Sequence, residues 1–545
     1  MTRGVCGLNF CCVVTDDWGD YFVLTLAGSA VSDPLTDTTD TSGHHLRGRI
    51  SAVPIHDPPA PATQDSILAS KAPELPIPGL MPLLASVAGE HSHTATTSEI
   101  EQVLVSHSFL TVVLRDTCEG TRQAVAVRMG QCSAPRALEA CRLELQAWAE
   151  GGVPAPCGEG GLCWGTTSPP LCFMAPNYEY TSYDTDTVTF DVSTPGVPHR
   201  IVRFRLGSED MSGELIYEYV PEGFDAEDLC VFTAWVDLPP SLTPHEGSVH
   251  QAAAKHIHAA SCESESKVRV PISVVYRPDR IQTDNTPVLL KVYGCYGLPD
   301  EPAFDASILP LIDRGVVVGV AHVRGGGTLG TGWHDAGRRG SKRNAVTDTV
   351  ACARHVVERV GCSRVGLWGQ SAGGLVVGAA ANMSPGAVEV VVLESPFLDL
   401  LSAMLEPTMP QVQAEYSEWG NPSSPSDQRD YFYLRSYSPY DNIPSSTQYP
   451  HTLVTAGLHD PRCSVWEGAK FVARLRLQAR SLAEREWEVL LRVRSDAGHF
   501  LPSLVGRQHE EMAFELAFML KHLQPWGVGV DEGSDDKVKL QSGVS

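Results

Sequence analysis

The sequence predicts an α/β protein: a doubly wound, mostly parallel sheet in its C-terminal part, preceded by an all-β region. Three observations carry this. Beyond residue 225, after one hairpin, strand-like apolar runs alternate with helix-like ones, the pattern of parallel strands with helices on both faces. The first 225 residues instead hold short runs rich in β-branched and aromatic residues, without comparable helical periodicity. Between a strand-like and a helix-like run sits Gly369-Gln370-Ser371-Ala372-Gly373. A Gly-x-Ser-x-Gly in that setting is the signature of a nucleophile elbow, where a sharp turn exposes the serine above the sheet.

The totals bound the function classes. The 545 residues suffice for two to four domains, and 43% hydrophobic content supports a large core. A net charge of −24 argues against nucleic acid or an anionic membrane as the main partner. The 15 cysteines are scattered, with no C-x-x-C pair, which argues against a structural zinc site and for free thiols in a reducing, cytoplasmic compartment. The N-terminal stretch reads poorly as a signal peptide. The most apolar long stretch, Val365 to Met383, is interrupted by Gln370, Ser371 and five glycines. Two short buried elements explain it better than a membrane span.

Taken in order, the β-like runs are Tyr21–Leu26, Leu110–Leu114, Ala124–Val127, Thr187–Phe190, Ile201–Arg205 and Leu215–Tyr219. Many short strands with loops between them fit a β-propeller or sandwich. Segments 29–70 and 76–98, rich in Pro, Ser, Thr and Asp, read as loops inserted between strands. Cys230–Val236 and Val268–Tyr276 then read as a hairpin, with 239–267 as its long loop. Strands are expected at Val288–Val292, Val316–Val320, Arg364–Trp368, Glu389–Leu393, Thr452–Thr455 and Glu486–Val493. Helices are expected at Asn344–Val360, just after Ser371, and at Met512–Leu523. Residues 526–545 read as a disordered acidic tail.

In open α/β sheets the working groups lie beyond the carboxyl ends of strands. Ser371 follows one such strand, Asp460 another, and His499 a third. Their order, Ser then Asp then His, is that of α/β-hydrolases. A serine hydroxyl needs a base, the role open to His499, and the imidazole needs an orienting carboxylate, the role open to Asp460. Each also has a plain reading: Asp460 precedes Pro461 and fits a turn, and His499 is one of 19 histidines. Asp496 is a rival carboxylate, but it stands on the histidine's own loop. An oxyanion hole needs two donors. One is the backbone N–H of Ala372. For the other, the Tyr293 hydroxyl is a candidate and Tyr296 its rival.

YGCYG (293–297), HVRGGGTLGTGW (322–333), GQSAGG (369–374), PFLDLLSAML (396–405), EWGNP (418–422), YSPYDNI (437–443), YPHTLVTAGLHDPR (449–462) and DAGH (496–499) together resemble the prolyl oligopeptidase family of serine peptidases. The resemblance is closest to the branch of oligopeptidase B and the prolyl endopeptidase-like proteins, and it is dense from about 176 to 523. It implies a C-terminal α/β-hydrolase joined to a β-propeller. It also implies a Ser371–Asp460–His499 triad, Tyr293 as oxyanion donor, and Arg462 as a group holding a substrate carbonyl. Glu415 falls on one of two acids that oligopeptidase B uses for a basic P1 side chain, the other position being Ser417. Glu301 matches one of a second pair, for P2, the other being Ala303. A weakened preference for basic residues is therefore expected. Thr328 replaces an acid of the family pattern, in a position taken as structural. The first 225 residues are too few for seven full blades, so the propeller is expected to be partial or truncated. The expected activity is acyl-enzyme cleavage of short peptides, without metal or organic cofactor. Esterase or thioesterase action, or a weakly active scaffold, are the alternatives.

Overall fold

A computed structural model describes residues 10–15, 21–27, 38–39, 45–47, 49–55, 75–76, 97–105, 109–128, 140–143, 162, 164–177, 180, 186–206, 213–238, 268–281, 286–362, 364–406, 408, 412–424, 428–445, 449–479, 487–500 and 505–523. The expected tail at 526–545 and the hairpin loop at 239–267 lie outside the described residues, as do most positions of the two expected insertions. Within the first insertion, however, Arg49–Ile55 is a strand paired antiparallel with Tyr21–Ala27. Its Pro54 and polar flanks hide the strand from a composition reading.

The C-terminal region is built on one nine-stranded sheet. Its strands are β1 (Thr166–Ser168), β2 (Cys230–Asp237), β3 (Arg269–Tyr276), β4 (Val288–Val292), β5 (Val317–Ala321), β6 (Val365–Gln370), β7 (Val390–Glu394), β8 (His451–Gly457) and β9 (Val489–Arg494). Their spatial order is β1-β2-β3-β5-β4-β6-β7-β8-β9. Strands β4 to β9 pair in parallel, whereas β1, β2 and β3 form an antiparallel edge. The chain leaves β4 toward β5 on one side and returns to β6 on the other. The order therefore reverses beside β4, and ligands bind at such a switch point. The expected 230–276 hairpin is present. Strand β1 and the buried Leu162 and Trp164 join this unit from before residue 225. Three residues of polar sequence gave no strand signal there.

Helices cover both faces because the central strands are apolar on both. Strand β4, Val-Leu-Leu-Lys-Val, is buried at all but its lysine. On one face lie α1 (Arg343–His355) and α2 (Ala372–Met383), in one core with Val292, Leu367 and Leu393. Helix α2 is small and apolar, and its residues 372–381 are all buried. The other face packs on Leu516, Met519 and Leu523 of α5 (Val505–Leu523). Between them in sequence run α3 (Val412–Trp419) and α4 (Val465–Ala479).

Among the described residues, the N-terminal strands form three mostly antiparallel sheets, of four, six and four strands. The six-stranded sheet, centred on Thr97–Val105, Phe109–Asp116 and Arg122–Arg128, shares a core with the Phe173–Glu218 sheet. Phe109, Val113 and Ala124 of the first meet Met174, Phe190 and Phe204 of the second, as successive blades would. The six-stranded sheet also docks on the nine-stranded unit. Glu99 accepts from the Thr331 N–H and hydroxyl, and Arg115 donates to the Thr328 carbonyl.

Candidate active site

Ser371 sits at the joint of β6 and α2 with φ 54° and ψ −123°, a conformation that costs an L-residue on the order of 1–3 kcal/mol. Backbone bonds on both sides fix it. Its N–H donates to the Glu394 carbonyl at the end of β7 (2.9 Å), and its carbonyl accepts from the Phe397 N–H (3.0 Å). The turn closes only with glycine at 373, where an added Cβ would lie 2.6 Å from the Val292 carbonyl oxygen.

The three expected triad residues converge. His499 Nε2 lies 3.0 Å from Ser371 Oγ, and His499 Nδ1 lies 2.8 Å from Asp460 Oδ2. The hydrogen-bond network assigns the Nδ1 proton to the Asp460 bond and leaves Nε2 to accept from serine. Asp460 Oδ1 accepts from the Arg462 and Cys463 N–H groups (2.8 and 2.9 Å). Burial pushes the Asp460 carboxyl up, but the bonds from His499 and these two N–H groups outweigh it and hold it below its ordinary value. Asp496, the rival, is turned away toward Arg507 at 3.6 Å.

Tyr293 and Tyr296 divide their roles. The Tyr296 hydroxyl donates to Glu415 Oε2 at 2.8 Å, whereas that of Tyr293 has no hydrogen-bond partner among the described residues. Burial, aided by the nearby Cys295, Asp300, Cys463 and Glu418, pushes the Tyr293 phenol well up, so it keeps its proton. Tyr293 directly follows β4 and its ring packs against the elbow, 3.1 Å from where a Gly373 Cβ would stand. The Ala372 N–H opens α2, where no intrahelical acceptor exists and the helix dipole favours negative charge.

The two expected substrate acids differ. Glu415 accepts from Tyr296 and from Trp419 Nε1 (2.9 Å), and it has no cationic partner among the described residues. Contacts link it to the nucleophile: Trp419 packs edge-on to Phe397, whose N–H holds the Ser371 carbonyl. Glu301 is not brought to the triad cluster. Both its oxygens bind Arg122 of the N-terminal sheet, at 2.7 and 2.9 Å, and Arg122 also binds Glu101. The Arg462 guanidinium lies over the Phe500 ring (5.4 Å), beside His499.

Sequence reading missed Cys463, whose Sγ lies 3.9 Å from Ser371 Oγ. Only the turn that Asp460 caps brings it there, so no linear signal marks it. Burial first, then the charges of Glu467 and Asp460, push its thiol well up, so it is an inert apolar wall and not a second nucleophile. Among the described residues, no group of three His, Cys, Asp or Glu side chains could hold a metal ion.

With this geometry established, comparison with known proteins decides the lineage. Residues 302–525 match the prolyl oligopeptidase family. Within that span the chain is similar to members of the prolyl oligopeptidase family. It is 39% identical over 269 residues to Protease 2 of Moraxella lacunata, covering 49% of this chain and 37% of that protein. It is 34% identical over 349 residues to dipeptidyl aminopeptidase BI of Pseudoxanthomonas mexicana, covering 64% of this chain and 42% of that one. The chain thus spans less than half the length of these curated relatives. Prolyl endopeptidase-like of Homo sapiens is 30% identical over 290 residues, 52% of this chain and 38% of that protein. Oligopeptidase B from Trypanosoma brucei, solved in a closed form with covalently bound antipain, superimposes with a TM-score of 0.67 at 25% identity. The match covers 95% of this chain and 59% of that one. Prolyl oligopeptidases thus share the overall plan seen here, a C-terminal α/β-hydrolase with an N-terminal β-propeller.

Proposed function

We propose that this protein is a serine peptidase acting on short peptides through an acyl-enzyme. The observation that carries the proposal is the continuous relay Ser371 Oγ–His499–Asp460 at 3.0 and 2.8 Å. In this reading Ser371 Oγ attacks the scissile carbonyl carbon as its proton passes to His499 Nε2. The carbonyl oxygen becomes an oxyanion facing the Ala372 N–H and the Tyr293 hydroxyl. Collapse breaks the C–N bond, and the His499 proton leaves with the amine. Water then attacks the acyl-serine with His499 again as base, which restores the serine. Glu415 receives a basic side chain of the substrate, supported by its two neutral donors and lack of a protein cation. Glu301 is committed to Arg122, so recognition of a second basic side chain is weak. Arg462, at the rim beside Phe500, meets a substrate carbonyl.

The test uses peptide and thioester substrates on the protein and its Ser371→Ala variant. Peptide turnover that the variant loses by at least about 10³-fold supports the reading. Thioester turnover without peptide turnover replaces peptidase by thioesterase, and equal rates on Ala- and Arg-ending peptides remove the role given to Glu415.

A further inference from the structure

The EWGNP motif carries a glutamate that the relay above does not use. Glu418 is buried, and so is Lys342, whose side chain is 0% exposed. Lys342 Nζ donates to Glu418 Oε1 (2.7 Å) and to the Gly294 carbonyl (2.9 Å). The same Glu418 oxygen accepts from the Tyr296 N–H at 3.0 Å, and Oε2 is bonded to His334 Nε2 at 2.7 Å. Trp419 closes the site, with the Lys342 ammonium 4.7 Å from its ring centre. Two of these bonds end on the backbone of one short loop, 293–297.

That loop is bent against its own preference. Tyr296 has φ 59°, and Gly294 and Gly297 have φ 65° and 63°. A non-glycine residue keeps this conformation only where its surroundings over-determine it. Here the surroundings are a lysine on the Gly294 carbonyl, a glutamate on the Tyr296 N–H, and the Gly325 carbonyl on the Gly297 N–H (3.0 Å). A buried ion pair is weak evidence of stabilisation, since apolar residues of similar volume often serve as well. Charge in this place is better explained by what its bonds hold.

We propose that the buried Lys342–Glu418 pair is a positioning unit that fixes the 293–297 loop so that the Tyr293 hydroxyl faces the oxyanion. The pair touches no reacting atom and acts through Tyr293. The inference rests on the reading of Tyr293 as oxyanion donor given above.

A double-mutant cycle tests it. Tyr293→Phe, Glu418→Gln and the double variant are compared for kcat, KM, melting temperature and affinity for a peptide aldehyde, whose hemiacetal oxygen occupies the oxyanion position. Glu418→Gln keeps an acceptor for the Tyr296 N–H but removes the charge facing Lys342. It is expected to lower kcat by about 10- to 100-fold, as sub-ångström misplacement does, and to weaken aldehyde binding similarly while KM moves less than about threefold. Because both changes act through one hydroxyl, the double variant is expected to be no slower than Tyr293→Phe alone. If the two losses multiply, or if a folded Glu418→Gln variant keeps full kcat, the inference is overturned. If Tyr293→Phe itself costs nothing, the oxyanion reading falls and the inference with it. Failure of the unmutated protein to hydrolyse any peptide or thioester is a failure of the functional reading. Should Glu418→Gln not fold, Lys342→Met/Glu418→Leu removes both charges in a form that cores tolerate, and the same non-additivity with Tyr293→Phe is required.

Discussion

At the residue scale the site is an arrangement of shared donors. Asp460 spends one oxygen on His499 and the other on two backbone N–H groups, so its loss removes both the imidazole's orientation and the turn carrying Arg462 and Cys463. Asp460→Asn is expected to lower kcat by about 10⁴-fold through the wrong tautomer, with folding retained in circular dichroism; a loss below tenfold would contradict the assigned role. Tyr293→Phe is expected to lower kcat by about 10² to 10³, measured on a short peptide ester and amide. The convergence of Ser371, His499 and Asp460 was legible in the sequence because each has a local signature: an elbow, or a strand end in the right order. The division of labour between Tyr293 and Tyr296 was not, since it depends on Glu415 and Trp419, more than a hundred residues away. Cys463 was invisible because only the folded turn capped by Asp460 brings it beside Ser371.

At the element scale, the reactive geometry is made by where parallel strands end. Strands β4, β6, β8 and β9 deliver Tyr293, Ser371, Asp460 and His499 to one edge of the sheet. The elbow works because α2 approaches β4 closely at Gly373. Gly373→Ala puts a methyl against the Val292 carbonyl and is expected to destabilise by about 1–3 kcal/mol, read as a lower denaturation midpoint, and to reduce activity further by tilting α2. Most strands of this sheet were legible because each is a short, mostly apolar run. Thr166–Ser168 was not, because three polar residues on an edge strand need no pattern: their register is imposed by β2. Arg49–Ile55 was hidden by Pro54, which pairs opposite Phe22 in a four-stranded sheet.

At the scale of the whole molecule, two charge systems stand out, one between the N-terminal sheets and the nine-stranded unit and one inside that unit. The Arg122–Glu301 bond joins an N-terminal sheet to the nine-stranded unit and occupies both Glu301 oxygens. Arg122→Met is expected to release that carboxylate and raise the ratio of turnover for Arg over Ala at the second substrate position; an unchanged ratio would place Glu301 outside any substrate contact. The second system gathers toward the carboxyl ends of β7, β8 and β9. Arg494 Nη2 donates to Ser395 Oγ at 2.7 Å, and Glu515 accepts from Thr455 at 3.0 Å. Burial first, and then the charge of Glu394, holds the Glu515 carboxyl above its ordinary value of 4.5. The folded state therefore binds this proton more tightly than the unfolded chain does. Its contribution to stability is complete below about pH 4.5 and is lost as pH rises through the raised folded value. Glu515→Gln is expected to melt higher than the unmutated protein at pH 9 and to lose that advantage at pH 4, measured by calorimetry. How the N-terminal sheets meet the nine-stranded unit could not be read from the chain, because Arg122 and Glu301 are 179 residues apart and nothing local pairs them. The central claim, that Ser371 is a nucleophile activated by His499 and oriented by Asp460, is tested most directly by peptide mapping after exposure to a fluorophosphonate. The account predicts one stoichiometric adduct on Ser371, absent from His499→Ala. An unlabelled Ser371 in the folded protein, or equal labelling in the His499 variant, would contradict it.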